Sequence, residues 1–329
     1  MLSVVLYLLA LPLGAQTLRE VADARGIHIA TAVNPSHLTE PAYAETLARE
    51  FNQVEPENAM KFGPIHPTAE SYTFGPADAI VEFARAHKMA VRGHTLVWHQ
   101  QFGAWVTNGN YTPEQLAGIL QEHIKTVVGR YAGKVYAWDV VNEAIDTDGT
   151  PRKSPWSGIP DYLEKAFRWA HAADPKALLF YNDYSAETIN KKSDAIYAMV
   201  KDFKARGVPI DGVGLQMHIG LKHPEMAGMQ ANLKRLTDLG LQVQITELDV
   251  KLADNSAESL AAQAKVYGDI VGMCLANARC TAIQIWGFTD RYSWIPRSSK
   301  GFDYALPFDR DYHPKPAYQA IVEAFKSAR

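Results

Sequence analysis

The sequence predicts an α/β protein folded as a closed (β/α)8 TIM barrel in a single domain. Three observations lead there. Short β-branched or apolar runs alternate with longer amphipathic segments, and eight such pairs follow one another along the chain. Strands joined through helices pair in parallel with right-handed crossovers. The chain has 329 residues, enough for a barrel of this kind, which typically needs roughly 250. The alternative, an open doubly wound sheet, would carry a Gly-rich phosphate turn. Neither G-x-G-x-x-G nor G-x-x-x-x-G-K-[ST] occurs in the sequence, so nucleotide binding has no support.

The elements follow in order. An apolar strand over 27–33 precedes a helix over 41–49. A strand over 51–55 precedes a helix over 76–87. Prolines open both helices, at a position where their missing N–H costs nothing. The strand over 90–95 leads to a helix over 113–131, where Thr112-Pro113-Glu114 places an N-cap before a proline. Next come a strand over 135–141 with a helix over 162–173, and a strand over 178–182 with a helix over 191–206. Strands over 212–217, 242–246 and 282–286 precede helices over 225–239, 257–276 and 315–326. Pro314 and Pro316 open the last helix. No Ser/Gly/Pro linker, repeat or low-complexity tract separates these pairs.

Residues 1–15 read as a signal peptide, with 16–329 as the barrel domain. The run from Met1 to Leu13 is apolar apart from Ser3 and Tyr7; it is too short to span a bilayer and suits a leader cut at Ala15–Gln16. A buried first helix is the alternative. No later segment is apolar enough to span. The expected protein is therefore secreted or periplasmic, a monomer free in solution, with no membrane partner. Hydrophobic residues make up 47% and charged residues 21%, which excludes disorder and coiled coil as overall descriptions. With 33 Lys and Arg against 36 Asp and Glu, the net charge is −3, so no basic field exists for nucleic acid. Cys274 and Cys280 are an even pair in a chain expected outside the cell, which predicts a disulfide between them, with two buried thiols as the alternative.

In such barrels the chemistry sits at the carboxyl ends of the strands. Polar groups follow seven of the eight expected strands. Glu143 follows the fourth and Glu247 the seventh, where an unpaired carboxylate would be costly. The two should face each other from opposite sides of the mouth. Facing carboxylates flanked by tryptophans suit glycoside hydrolysis: one protonates the leaving oxygen, and the other attacks the anomeric carbon or activates water. His94 and His99 lack a third ligand at metal spacing. His99, His123 and His171 read as structural or surface residues, and Trp138 and Trp169 as core.

Trp138-Asp139-Val140-Val141-Asn142-Glu143-Ala144 and Ile245-Thr246-Glu247-Leu248-Asp249 resemble the motifs of glycoside hydrolase family 10, the endo-β-1,4-xylanases. So do Glu57-Asn58-Ala59-Met60-Lys61, the stretch from Arg92 to His99, and Lys315-Pro316-Ala317-Tyr318. The likeness runs from about Ile29 to Tyr318. It implies endo-acting, retaining hydrolysis of xylan and xylo-oligosaccharides, with no metal and no organic cofactor. Glu143 would be the acid/base and Glu247 the nucleophile. Asn142 would bond the 2-hydroxyl of the sugar under attack, and His94, Trp98 and Gln216 would surround that sugar. His218 would contact the nucleophile, with Asp249 behind it. Glu57, Asn58 and Lys61 would grip the next sugar towards the non-reducing end, and Trp286 and Trp294 would cover both. Tyr184 would lie on the leaving-group side. Two positions depart from the family pattern. Gly103 stands where a proline is usual, which predicts a looser loop, and Ser185 stands where Asn is common.

Overall fold

The computed structural model describes residues 16–328; the leader expected at 1–15 lies outside the described residues. The strands are β1 (His28–Val33), β2 (Gln53–Pro56), β3 (Ala90–Gly93), β4 (Ala137–Asn142), β5 (Leu178–Asp183), β6 (Gly212–Leu215), β7 (His218–Gly220), β8 (Gln242–Lys251) and β9 (Cys280–Ile285). All but β7 form one parallel ring. Pairing runs from β6 back to β1, then to β9 and β8, and a β6–β8 pairing closes it. The expected (β/α)8 barrel is the observed architecture, with helices wrapped around the ring.

The long helices lie within a residue of their expected ends: Pro41–Glu50, Gly75–Ala86, Pro113–Arg130, Tyr162–Ala173, Lys191–Ala205, Met226–Asp238, Ala257–Leu275 and Pro316–Ser327. Their starts are fixed locally. Thr112 accepts from the Gln115 amide while the Gln115 side chain returns to the Thr112 amide, so two donors that a helix start would leave unpaired are satisfied at once. Their buried stripes follow helical spacing; Leu120, Ile124, Val127 and Val128 face the barrel from one such helix.

The interior of the ring is not wholly apolar. Tyr136 donates to Gln53 Oε1 at 2.7 Å, and Gln53 Nε2 donates to Gln284 at 3.2 Å. Above them Arg92 Nε donates to Gln244 at 2.9 Å. Each polar group finds a partner inside, as burial demands.

Several strand ends differ from expectation, and one strand is extra. β3 stops at Gly93, where a Cβ would lie 2.2 Å from the Trp138 ring; the missing side chain makes room for that buried tryptophan. β8 runs on to Lys251 instead of ending at Thr246, and its register against β9 slips between Ile245 and Leu248. Glu247 thus sits within a strand, at a bulge that re-aims side chains. The extra strand β7 follows Met217, whose φ is 64°, and pairs His218 with Asp249.

Gly103 is the position where a proline is usual. It caps a short helix, Ala104–Asn108, and a Cβ there would lie 2.4 Å from the Trp105 ring. Trp105 donates to the His66 carbonyl at 3.3 Å, which anchors the segment. His123 is buried and stacks on Phe62, His171 is exposed, and Trp138 is in the core with Trp169 packed against it. Among the described residues no helix is long and apolar enough to cross a membrane.

Cys274 and Cys280 are joined in a disulfide with a sequence separation of 6, tying the helix Ala257–Leu275 to β9. In the chain-entropy picture so short a loop contributes roughly 2 kcal/mol. The double substitution Cys274→Ser/Cys280→Ser should lower the thermal midpoint by a few degrees and leave turnover intact. Calorimetry beside a thiol titration of denatured, unreduced protein checks both points, and two free thiols in the parent chain would contradict the bridge.

Candidate active site

The carboxyl ends of the strands surround a cavity of about 520 Å³. Glu57, Asn58, Lys61, His94, Trp98, Asn142, Glu143, Tyr184, Gln216, His218, Glu247, Trp286 and Trp294 all line it. Every residue expected to touch substrate is therefore brought to one cleft, and Asp249 lies beneath it.

Glu143 follows β4 with φ at 57°, a left-handed conformation uncommon for a side-chain-bearing residue. Three bonds hold the turn. The Glu143 amide donates to the Asn182 carbonyl at 2.9 Å, and the Ala144 amide donates to the Tyr181 hydroxyl at 3.0 Å. Tyr181 in turn donates to Asp183 at 2.5 Å, and Lys192 lies 2.6 Å from that same carboxyl group. Burial pushes Asp183 up to about 7 even against Lys192. The Glu143 carboxyl group accepts only from neutral donors: Trp98 Nε1 at 3.0 Å, Gln216 Nε2 at 3.0 Å and Asn142 Nδ2 at 3.2 Å.

Glu247 has a different setting. Asn182 Nδ2 donates to one oxygen at 2.7 Å, and His218 Nε2 meets the other at 3.0 Å. The far nitrogen of His218 binds Asp249 at 2.8 Å, and Trp294 Nε1 donates to that same Asp249 oxygen at 2.8 Å. The β7–β8 register that pairs His218 with Asp249 sets this contact. Burial lowers the His218 imidazole, but Asp249 and Glu247 outweigh it and raise it to about 10. Burial raises the Glu247 carboxyl, yet His218, with His94 and Lys61 behind it, holds it at about 2. Glu247 is a carboxylate facing an imidazolium. Burial also lowers Lys61, which reaches Asn58 Oδ1 at 3.0 Å and sits 4.8 Å from the Trp98 ring centre.

The two carboxylates are three strands apart around the ring, with β5 and β6 between them, a step short of the opposite sides expected. Asn182 of β5 bridges the gap, donating to Asn142 Oδ1 at 3.0 Å as well as to Glu247.

Under the cleft, Glu55, His94 and Asp139 lie close enough to share a metal ion. Arg92 already supplies a cation there, donating to Glu55 at 2.7 Å and to both oxygens of Asp139. His94 Nδ1 binds Asp139 at 2.9 Å, which leaves Nε2 for the cleft.

Sequence reasoning missed several participants. His99 was expected to be structural or surface, yet its Nδ1 lies 3.7 Å from Glu143 in the cleft. Arg152 donates to the Tyr184 hydroxyl at 2.7 Å, from a loop with no motif to mark it. Gln101 and Ser185 also line the cavity. Asn182 was legible in Asn182-Asp183-Tyr184 but had no assigned part.

A family model described as Glycosyl hydrolase family 10 matches residues 17–324. Endo-1,4-beta-xylanase B of Thermotoga neapolitana is 47% identical over 313 residues, covering 93% of this chain and 90% of that protein. Xylanase 10B of Thermotoga petrophila, solved in complex with xylobiose, superposes with a TM-score of 0.93 at 46% identity, covering 95% of this chain and 98% of that one. A mutant of TsXylA, an intracellular xylanase of Thermoanaerobacterium saccharolyticum solved with xylotetraose, gives 0.87 at 38% identity, covering 92% and 97%.

The ion pair makes a titration prediction. In His218→Asn the Glu247 carboxyl should titrate more than one unit higher, because burial then acts without the cation. Carbon NMR of labelled glutamate reads this. The sign for stability also follows. The folded His218 is raised above its unfolded value, so its contribution is full below about pH 6.5 and fades as pH rises through about 10. Denaturation of parent and variant should therefore differ most at pH 6 and below and least above pH 10, in roughly that order.

Proposed function

The chain belongs to glycosyl hydrolase family 10, and from that premise we propose that it is a retaining endo-1,4-β-xylanase with Glu143 as acid/base and Glu247 as nucleophile. One contrast carries the assignment of roles. Glu247 faces a cation and is held ionised, whereas Glu143 accepts only neutral donors. The ionised group attacks, and Glu143, whose hydrogen-bond partners are all neutral, is left to deliver the proton.

In the first step Glu247 forms a bond to the anomeric carbon as the glycosidic bond breaks, and Glu143 gives its proton to the departing oxygen. Forming the ester removes the negative charge across the cleft from Glu143. In the second step Glu143 takes a proton from water, which attacks the anomeric carbon and frees Glu247. Two inversions keep the β configuration, the outcome expected when the carboxyl groups are about 5–5.5 Å apart. Asn142 binds the 2-hydroxyl, and His94, Trp98 and Gln216 frame the same sugar. Glu57, Asn58 and Lys61 grip the next, with Trp286 and Trp294 over both. Tyr184, held by Arg152, receives the leaving side.

Neither step needs a metal or an organic cofactor. Residues 1–15 act as a removable leader and deliver the 16–329 domain outside the cytoplasm, as a monomer; the disulfide fits an oxidising compartment.

Glu247→Ala should abolish turnover of every substrate. Glu143→Ala should cut the rate on xylan roughly 10²–10⁴-fold and largely spare an aryl glycoside, whose leaving group needs little protonation. Equal losses on both substrates would refute Glu143 as the acid. Proton NMR of early product should show the β-anomer first; an α-anomer would remove Glu247 from the nucleophile role. Cellulose should be cut hardly at all, since its extra hydroxymethyl group meets Trp286 and Trp294, and preference for cellulose would overturn the substrate.

A further inference from the structure

Past Glu57 and Asn58 the cleft opens into a second cavity of about 530 Å³, and both residues line both spaces. Since they grip the sugar on the non-reducing side, the second cavity continues the path of the chain in that direction. Its wall is basic. Arg291, Arg297 and Arg310 all line it, and all three are exposed. The acidic residues beside them, Glu57 of the same lining included, cancel this charge only in part and leave Arg297 unpaired among the described residues. Asp290 is buried and held by Lys315 Nζ at 2.7 Å. Arg310 meets Asp303 at 2.5 Å, and Arg291 lies a loose 3.9 Å from Glu40. Among the described residues, no carboxylate comes within 4.0 Å of the Arg297 guanidinium. His37, stacked on Tyr292 at 3.7 Å, gives the same cavity an aromatic floor.

A neutral sugar calls for hydroxyl partners and a stacking face, not for guanidinium groups. A planar fork of donors matches a carboxylate. We propose that this extension binds a carboxylate-bearing side group, a uronic acid carried by a xylan unit on the non-reducing side of the cut, with Arg297 as its principal cation. The inference rests on the xylanase reading, because the chain threaded through the cleft is what delivers the side group. Tethering makes a weak contact count: the catalytic subsites hold the backbone, so the acid meets Arg297 at high effective concentration.

The test compares kcat/KM for a neutral xylo-oligosaccharide and for the same backbone bearing one uronic acid on that side. The parent chain, Arg297→Ala and Arg297→Glu are assayed at low salt and near 1 M salt, where screening acts over roughly 3 Å. The parent should favour the acidic substrate at low salt, by roughly two- to fivefold for each arginine engaged. Arg297→Ala should reduce that preference, Arg297→Glu should abolish or invert it, and high salt should erase it. Rates on the neutral substrate should stay unchanged in all three, which also reports correct folding. Equal rates on the two substrates in the parent, or an undiminished preference in Arg297→Glu, would overturn the inference while leaving the xylanase reading intact. Failure of the parent to cut the neutral oligosaccharide would instead overturn the xylanase reading, and this inference with it.

Discussion

A single fully buried guanidinium holds the floor of the active site. Arg92 has no exposed surface, and its fork reaches Gln244, Glu55 and Asp139. Two carboxylates enclosed in a barrel would each lose several kcal/mol of hydration if left alone. Burial does raise Glu55, and Arg92 is what offsets that tendency. The consequence reaches upward. Asp139, fixed by Arg92, orients His94, and His94 belongs to the wall of the cleft. Removing Arg92 would therefore leave uncompensated charge in the core and release a cleft residue in the same stroke. The polar bonds lower in the ring, from Tyr136 through Gln53 to Gln284, continue the same column.

The two carboxylates are then separated by how each strand ends. Glu143 leaves β4 in a left-handed turn, a conformation that must be held by its surroundings. The Tyr181–Asp183–Lys192 chain does so from inside, through the amide that follows Glu143. Glu247 instead stays within β8, where a bulge turns it inward and the short strand β7 brings His218 alongside. One residue is set by a turn and the other by a strand pairing. That difference gives Glu247 an imidazolium in hydrogen-bond contact and Glu143 only neutral donors.

What the sequence revealed, it revealed through periodicity and motifs. Helices such as Pro113–Arg130 announce themselves by a proline, a cap and a repeating apolar face. Glu143 and Glu247 are legible because long motifs surround them, and all the expected cleft residues do meet. The extension of β8 past Thr246 was hidden, because a bulge depends on the partner strand, not on the residues in it. β7 was hidden for a similar reason: three residues with a positive φ before them carry no pattern. Arg152 and His99 reach the cleft from loops whose path only tertiary packing decides.

Asn182 shows how little of a site's precision is local. It donates to Glu247 and to Asn142, and its side-chain oxygen Oδ1 accepts from the Thr246 hydroxyl at 2.7 Å. Its side chain can lie there only because the facing position on β6 is Gly214, where a Cβ would approach Asn182 Oδ1 to 2.2 Å. The glycine is not required by its backbone; it is a space left for another residue's amide. That amide ties the strand that leads to Glu143 to the strand that carries Glu247. The separation of the two carboxylates, on which retention depends, therefore rests partly on an absent methyl group two strands from Glu143.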